Sequence, residues 1–246
     1  MLVDSGSCEA SGAACGHRRP RSSCADCAVR PISVCSVLGR EELSVLEALG
    51  QHLTLGRRQI LYGQDEPADA VFTVIAGALR LSRLLADGRR QVMGFALPGD
   101  FLGLALEDRW SASAEVLSPA KVCRFERRAF GALTADKPHL LMSLRERTAS
   151  ALTLAQDQML LLGRRTAEER VAHFLVGLRE RYARTGHGSV TVELPMGRQD
   201  MADYLGLTIE TVSRMLTRLD RERTILIVPG GVRLLDPARL EALAAG

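Results

Sequence analysis

The sequence predicts an α+β chain in three parts: a β-roll of jelly-roll type, a long helix, and a helical domain that closes on a β-hairpin. Three observations predict it. Between about residues 53 and 130, short runs with β-character recur (QILYG, AVFTVIAG, ALRLSRLL, QVMGFALPG, ASAEVL, AKVCRF), punctuated by Gly63, Asp87-Gly88, Pro98-Gly99 and Pro119. From 141 to 162, apolar and small residues alternate steps of three and four. Beyond 164 the pattern is mostly helical until TILIVPGGVRLL, two β-runs around Pro229-Gly230-Gly231.

The chain has 246 residues, 46% hydrophobic and 25% charged, the balance of a soluble globular protein of one large or two smaller domains. No apolar run approaches the ~20 residues of a membrane span. The N-terminus MLVDSGSCEASGAACGHRRP has no apolar secretory core, so a cytoplasmic location with reduced thiols is expected. In that setting six cysteines point to metal or redox chemistry more than to staples. The net charge of +3 says little about partners. Of the 32 basic residues only Lys121 and Lys137 are lysines; the rest are arginines, which suit bidentate contacts to phosphate and guanine, although a composition bias explains the ratio equally well. The five histidines are scattered and build no acid–base constellation, so an enzyme is not expected.

Residues 1–39 form a cysteine-rich arm, polar and aperiodic through about residue 35 and expected to be disordered unless something ties it down. Within it Cys24, Cys27 and Cys35 follow a C-x2-C-x7-C spacing. Residues 40–135 form the roll, entered through a short amphipathic helix, REELSVLEALGQ, with Leu43, Leu46 and Leu49 at helical spacing. Residues 136–163 form the long helix, bounded by Pro138 and Gly163. Along it Leu141, Leu144, Thr148, Ala151, Ala155, Gln158 and Leu162 make a heptad seam, which predicts a coiled-coil homodimer. Leu152 and Met159 widen the apolar face, so the helix can touch its own roll and a twin at once.

Residues 164–246 hold the most informative stretch, MGRQDMADYLGLTIETVSRMLTRLDRER. A helix around Gln199 to Tyr204 meets Leu205-Gly206-Leu207, and a second helix begins at Thr208, a good N-cap. Two helices joined by a short glycine turn, followed by a hairpin, read as a winged helix-turn-helix, which implies double-stranded DNA as partner. Val212, Met215, Leu216 and Leu219 share the buried side of the second helix. On the other side Glu210, Ser213 and Arg214 are of the types that read base edges, and Thr217, Arg218 and Arg221 suit the DNA backbone.

The stretch DMADYLGLTIETVSRMLTRL resembles the DNA-binding signature of the Crp–Fnr superfamily of bacterial transcription regulators. Its E-x-x-S-R pattern, here Glu210, Ser213 and Arg214, resembles the branch named for the fumarate-and-nitrate-reductase regulator. The order of parts fits across nearly the whole chain, with AEERVAHFL (Ala167 to Leu175) between long helix and winged domain. The resemblance implies a cyclic-nucleotide-binding-like roll, a dimerisation helix, and a palindromic operator of TTGAT-like half-sites, one per subunit. It also implies contact with RNA polymerase, for which the Ala86-Asp87-Gly88-Arg89 turn stands in the family's position. In that branch an acidic residue stands within the dimer seam; the corresponding position here is Ala155, with Asp157 two residues later.

Cyclic-nucleotide members of the superfamily pair Gly-Glu with a later Arg-Ser around the phosphate. Here Pro98 to Gly103 is followed by Leu104, and Arg109 lies two residues before Ser111, so that pattern fails. The oxygen-sensing branch instead carries a [4Fe-4S] cluster on a three-cysteine N-terminal group plus one cysteine from the roll. The resemblance therefore implies Cys24, Cys27, Cys35 and Cys123 as ligands; Cys8 and Cys15 match none. Zinc accepts the same donors, and plain thiols or a disulfide switch are the remaining readings of the same cysteines. The expected protein is an oxygen-responsive regulator, mainly an activator of anaerobic or microaerobic genes.

Overall fold

The computed structural model describes residues 24–103, 108–186 and 190–246. Cys8, Cys15 and Leu104 lie outside them. From Cys24 the arm is folded, through three short 3-10 turns (Cys24–Asp26, Arg30–Ile32, Val34–Val37). Its sequence looks polar and aperiodic, yet Val29, Val34 and Leu38 are buried and anchor it. Burying three apolar side chains offsets much of the entropy of ordering so short a segment.

Helix α1 (Arg40–Leu49) follows, burying Leu43 and Leu46. The roll is antiparallel throughout. Strands β1 (Gly50–Leu55), β2 (Ile60–Tyr62), β3 (Ala70–Leu84), β4 (Arg90–Ala96), β5 (Phe101–Leu102) and β6 (Ser113–Glu126) form one sheet. Its main order is β1-β6-β3-β4; β2 adds to β6 and β5 to β3. Two pairs of expected β-runs fuse into single long strands. AVFTVIAG and ALRLSRLL become β3 through Gly77, and ASAEVL and AKVCRF become β6 through Pro119. The two punctuation residues face each other where the β3–β6 register shifts. Gly77 has φ +81°, and a Cβ there would lie 2.4 Å from the Pro119 carbonyl oxygen, so only glycine fits the bend. Tyr62, Phe72 and Trp110 fill part of the roll interior, with the Tyr62 and Trp110 rings 3.7 Å apart.

Helix α2 (Arg127–Ala135) leads to α3 (Pro138–Arg164), which is 27 residues long. Near its start Leu140 and Ser143 are buried; near its end Leu161 is buried. Every residue from 148 to 157 is exposed. The remainder comprises α4 (Ala167–Arg184), β7 (Thr191–Glu193), α5 (Arg198–Leu205), α6 (Ile209–Arg221), β8 (Ile225–Val228), β9 (Gly231–Leu234) and α7 (Pro237–Ala245). Strand β7 widens the expected hairpin to a three-stranded sheet, β7-β9-β8, and α7 packs on α4. One apolar core joins this domain to the far end of the roll, through Val92, Phe95 and Leu97 from the roll and Phe174, Met201 and Leu205 from the helices. Among the described residues no helix is long and apolar enough to cross a membrane.

Candidate functional site

Strand alternation decides what Cys123 meets. Along β6, Ala120 and Val122 point into the roll interior, and Cys123 and Phe125 point to the opposite face. That outer face is covered by the arm, α1, α2 and the start of α3, and Cys24 and Cys35 pack there beside buried Cys123. The arm is held by several hydrogen bonds. The Cys24 amide donates to Glu47 Oε2 (3.2 Å), the Cys35 amide to Ser33 Oγ (3.3 Å), and Arg30 Nη2 to the Leu38 carbonyl (3.3 Å). Arg147 Nη2 on α3 donates to the Ile32 carbonyl at 2.9 Å, which ties the arm to the long helix.

The fold packs Cys24 and Cys35 in one core with Cys123, and Cys27 is near enough to act on Cys123 electrostatically. Burial first, and then the charges of Cys24, Cys27 and Cys35, push the Cys123 thiol up to about 12. Burial, Glu47 and the other two arm thiols push Cys24 up to about 11. Burial likewise raises Cys35. Among the described residues no group of three His, Cys, Asp or Glu side chains converges tightly enough to hold one ion. Four soft donors gathered on one face suit a cluster, which spreads its thiolates over several irons. The chemistry of the donors suits such a group; their spacing here is looser than one ion requires.

At the other end of the molecule, Gly206 closes α5 in the left-handed conformation (φ +61°), and Thr208 caps α6 by accepting from the Thr211 amide at 3.2 Å. Val212, Leu216 and Leu219 are buried and Met215 partly so, which leaves the opposite side of α6 to solvent. There Glu210 and Arg214 are exposed, with Ser213 and Thr217 half-buried beside them. An open concavity of about 590 Å³ runs along this side, lined by Ser213, Arg214, Thr217, Arg218 and Arg221. The Glu210 carboxyl is held below its usual range, first by its own backbone amide and the Thr208 hydroxyl, then by Arg214. It is ionised and able to accept from cytosine N4. Arg214 Nη2 donates to Thr211 Oγ1 at 3.2 Å. Arg218, expected at the DNA backbone, is exposed and pairs with Glu168 (3.0 Å) and Glu222 (2.9 Å). Arg221 faces solvent, as do Arg198, Arg223 and Arg233, which the sequence reading did not single out.

The seam residues divide. Leu141, Thr148, Ala151 and Ala155 are exposed, together with Leu152 and Met159. Leu144 and Leu162 pack partly against the chain's own cores, and Gln158 Nε2 donates to the Tyr204 carbonyl at 2.8 Å. The Asp87 carboxylate closes the Ala86–Arg89 turn by accepting from the Arg89 amide at 3.0 Å.

Residues 169–243 match the Crp-like helix-turn-helix domain family and residues 52–137 the cyclic nucleotide-binding domain family. The chain is 53% identical over 219 residues to the transcriptional activatory protein AadR of Rhodopseudomonas palustris, covering 89% of this chain and 92% of the relative. It is 48% identical over 222 residues to the nitrogen fixation regulation protein FixK of Bradyrhizobium diazoefficiens, covering 90% and 94%. Among solved structures, FixK2 from Bradyrhizobium japonicum superposes with a TM-score of 0.75 at 37% identity, covering 80% of this chain and 98% of that one.

Proposed function

The chain belongs to the Crp–Fnr family of DNA-binding transcription regulators, and on that premise we propose that it is an oxygen-responsive activator. It grips inverted-repeat DNA as a homodimer while Cys24, Cys27, Cys35 and Cys123 hold a [4Fe-4S] cluster. The observation that supports this reading is the packing of Cys24 and Cys35 in one core with Cys123 on the outer face of β6, with Cys27 acting on Cys123 electrostatically. When bound, the cluster supplies iron–thiolate bonds and oxygen lability.

The chain's own residues do the rest. The folded arm offers the Ile32 carbonyl to Arg147, so the order of the arm bears directly on α3. Helix α3 presents Leu141, Leu152, Ala155 and Met159 to a twin helix, while Leu144 and Gln158 keep it on its own subunit. Each α6 then enters a major groove with Glu210, Ser213 and Arg214 toward the bases. Two such helices on one dimer bind an inverted repeat far more tightly than either alone, because the second contact is intramolecular. Activation in this reading uses the exposed Ala86–Arg89 turn, flanked by exposed Leu84 and Leu85, as a contact for RNA polymerase.

The test is Cys123→Ser, compared with the unaltered protein after purification without air. The unaltered protein is expected to be brown, with about four irons and four sulfides per chain. The variant is expected to lose most of its iron and roughly a hundredfold in affinity for a palindromic operator. Undiminished iron and unchanged operator binding in the variant, or a colourless zinc protein at the outset, overturns the cluster reading.

A further inference from the structure

The helix-turn-helix is bolted to the roll by charges. Asp200, in the first turn of α5, is 8% exposed, and its Oδ1 accepts from Arg80 of β3 and from Arg90 Nη2 of β4, the latter at 3.0 Å. Asp203, one turn on, accepts from Arg90 Nε (3.0 Å) and Nη2 (2.6 Å) through Oδ2. Gln91 Nε2 reaches the Asp203 backbone carbonyl at 2.7 Å. Arg80 is itself buried and shared with Glu115 of β6. Beside the charges, the Phe95 ring meets Tyr204 edge-on at 5.4 Å. The other end of α5 is also fixed, since Arg170 Nη1 donates to the Leu205 carbonyl (3.0 Å) and Arg170 Nη2 to the Leu162 carbonyl (2.8 Å).

Such a network does not serve stability best. Buried ion pairs are matched or beaten by apolar packing, and Arg80 Nε is buried without a partner. What guanidinium–carboxylate geometry does supply is one permitted orientation. Helix α5 carries α6 through the tight Gly206 turn. An orientation imposed on α5 is therefore imposed on the reading helix.

We propose that Arg80 and Arg90 are positioning residues for DNA binding: through Asp200 and Asp203 they set the angle at which the roll presents α6, so that the twin helices match the spacing of an inverted repeat. This rests on the homodimer reading above.

The pair Arg90–Asp203 allows a test at half-buried side chains rather than at the core. Arg90→Gln, Asp203→Asn, their combination, and the exchange Arg90→Asp with Asp203→Arg are titrated with a full inverted repeat and with a single half-site, at one salt concentration. Each single variant is expected to lose about tenfold or more on the full repeat and less than about twofold on the half-site, because only the bivalent complex depends on the angle. The combination is expected to be no worse than either single change, and the exchange to recover most of the loss, as coupling between contacting residues requires. Equal losses on both duplexes, or no loss on the full repeat, overturns the proposal. Small-angle X-ray scattering of the DNA-free proteins separates this from a failure of the homodimer reading. If the unaltered protein binds repeat and half-site alike, that reading falls, and variants with unchanged scattering dimensions overturn the positioning role as well. A larger radius of gyration in the single variants, reversed by the exchange, upholds it.

Discussion

Arg218 and Arg221 stand three residues apart near the end of α6, but Arg218 is already occupied by Glu168 and Glu222. A cation neutralised within the protein adds little to the counterion release that drives nucleic-acid binding. Arg221→Ala is therefore expected to reduce the slope of log affinity against log salt by about 0.9, and Arg218→Ala to leave it nearly unchanged, in operator titrations at several salt concentrations. The polar face of α6 was legible because helical spacing alone separates Glu210, Ser213 and Arg214 from the apolar side. The occupation of Arg218 was not, since Glu168 comes from α4 and no local pattern links the two. Glu42 shows a comparable long-range tie. Its carboxylate accepts from the Gly39 amide at 3.0 Å and pairs with Lys137 and His139 at the start of α3. These partners, the amide first, hold it below its ordinary value of 4.5. The stabilisation is thus complete above that ordinary value and disappears as pH falls through the lower folded one. The difference in Tm between the protein and Glu42→Gln should shrink as pH falls from about 5 toward 3.

Among the elements, α3 packs on its own subunit along one side and lies open along the other. Its spacing announced a seam, and the added width from Leu152 and Met159 announced a second contact. Which positions turn inward was settled by what lies beneath them: the arm and α2 under Leu144, and α5 under Gln158. Leu152, 60% exposed in the protomer, is free to serve the twin. Leu152→Asp should leave the protomer folded and weaken self-association by at least roughly tenfold in sedimentation equilibrium, since burying a leucine contributes about 1.5–3 kcal/mol. The strands show the opposite lesson. Gly77 and Pro119 looked like ends of runs, because glycine and proline usually interrupt strands. Paired across a register shift, they instead bend two long strands without breaking them. The folded arm was missed because three apolar anchors spread over ten positions show neither helical nor strand period.

Over the whole molecule, the boundary between roll and winged domain is drawn more sharply by the sequence than by the packing. One core spans both, from Val92 and Phe95 to Met201 and Leu205, and buried charges reinforce it. Calorimetry is expected to record a single cooperative unfolding transition rather than two, with the calorimetric and van't Hoff enthalpies of the metal-free protein in agreement. The long spine is the exception to this solidity. Ten consecutive residues at its middle, 148 to 157, are exposed in the lone protomer. The stretch is held on either side, by Leu144 packed beneath the arm and α2 and by Gln158 bonded to α5. A protomer on its own therefore keeps its rod but leaves Leu152 and Leu154 bare to water at mid-shaft, which favours any surface that covers them.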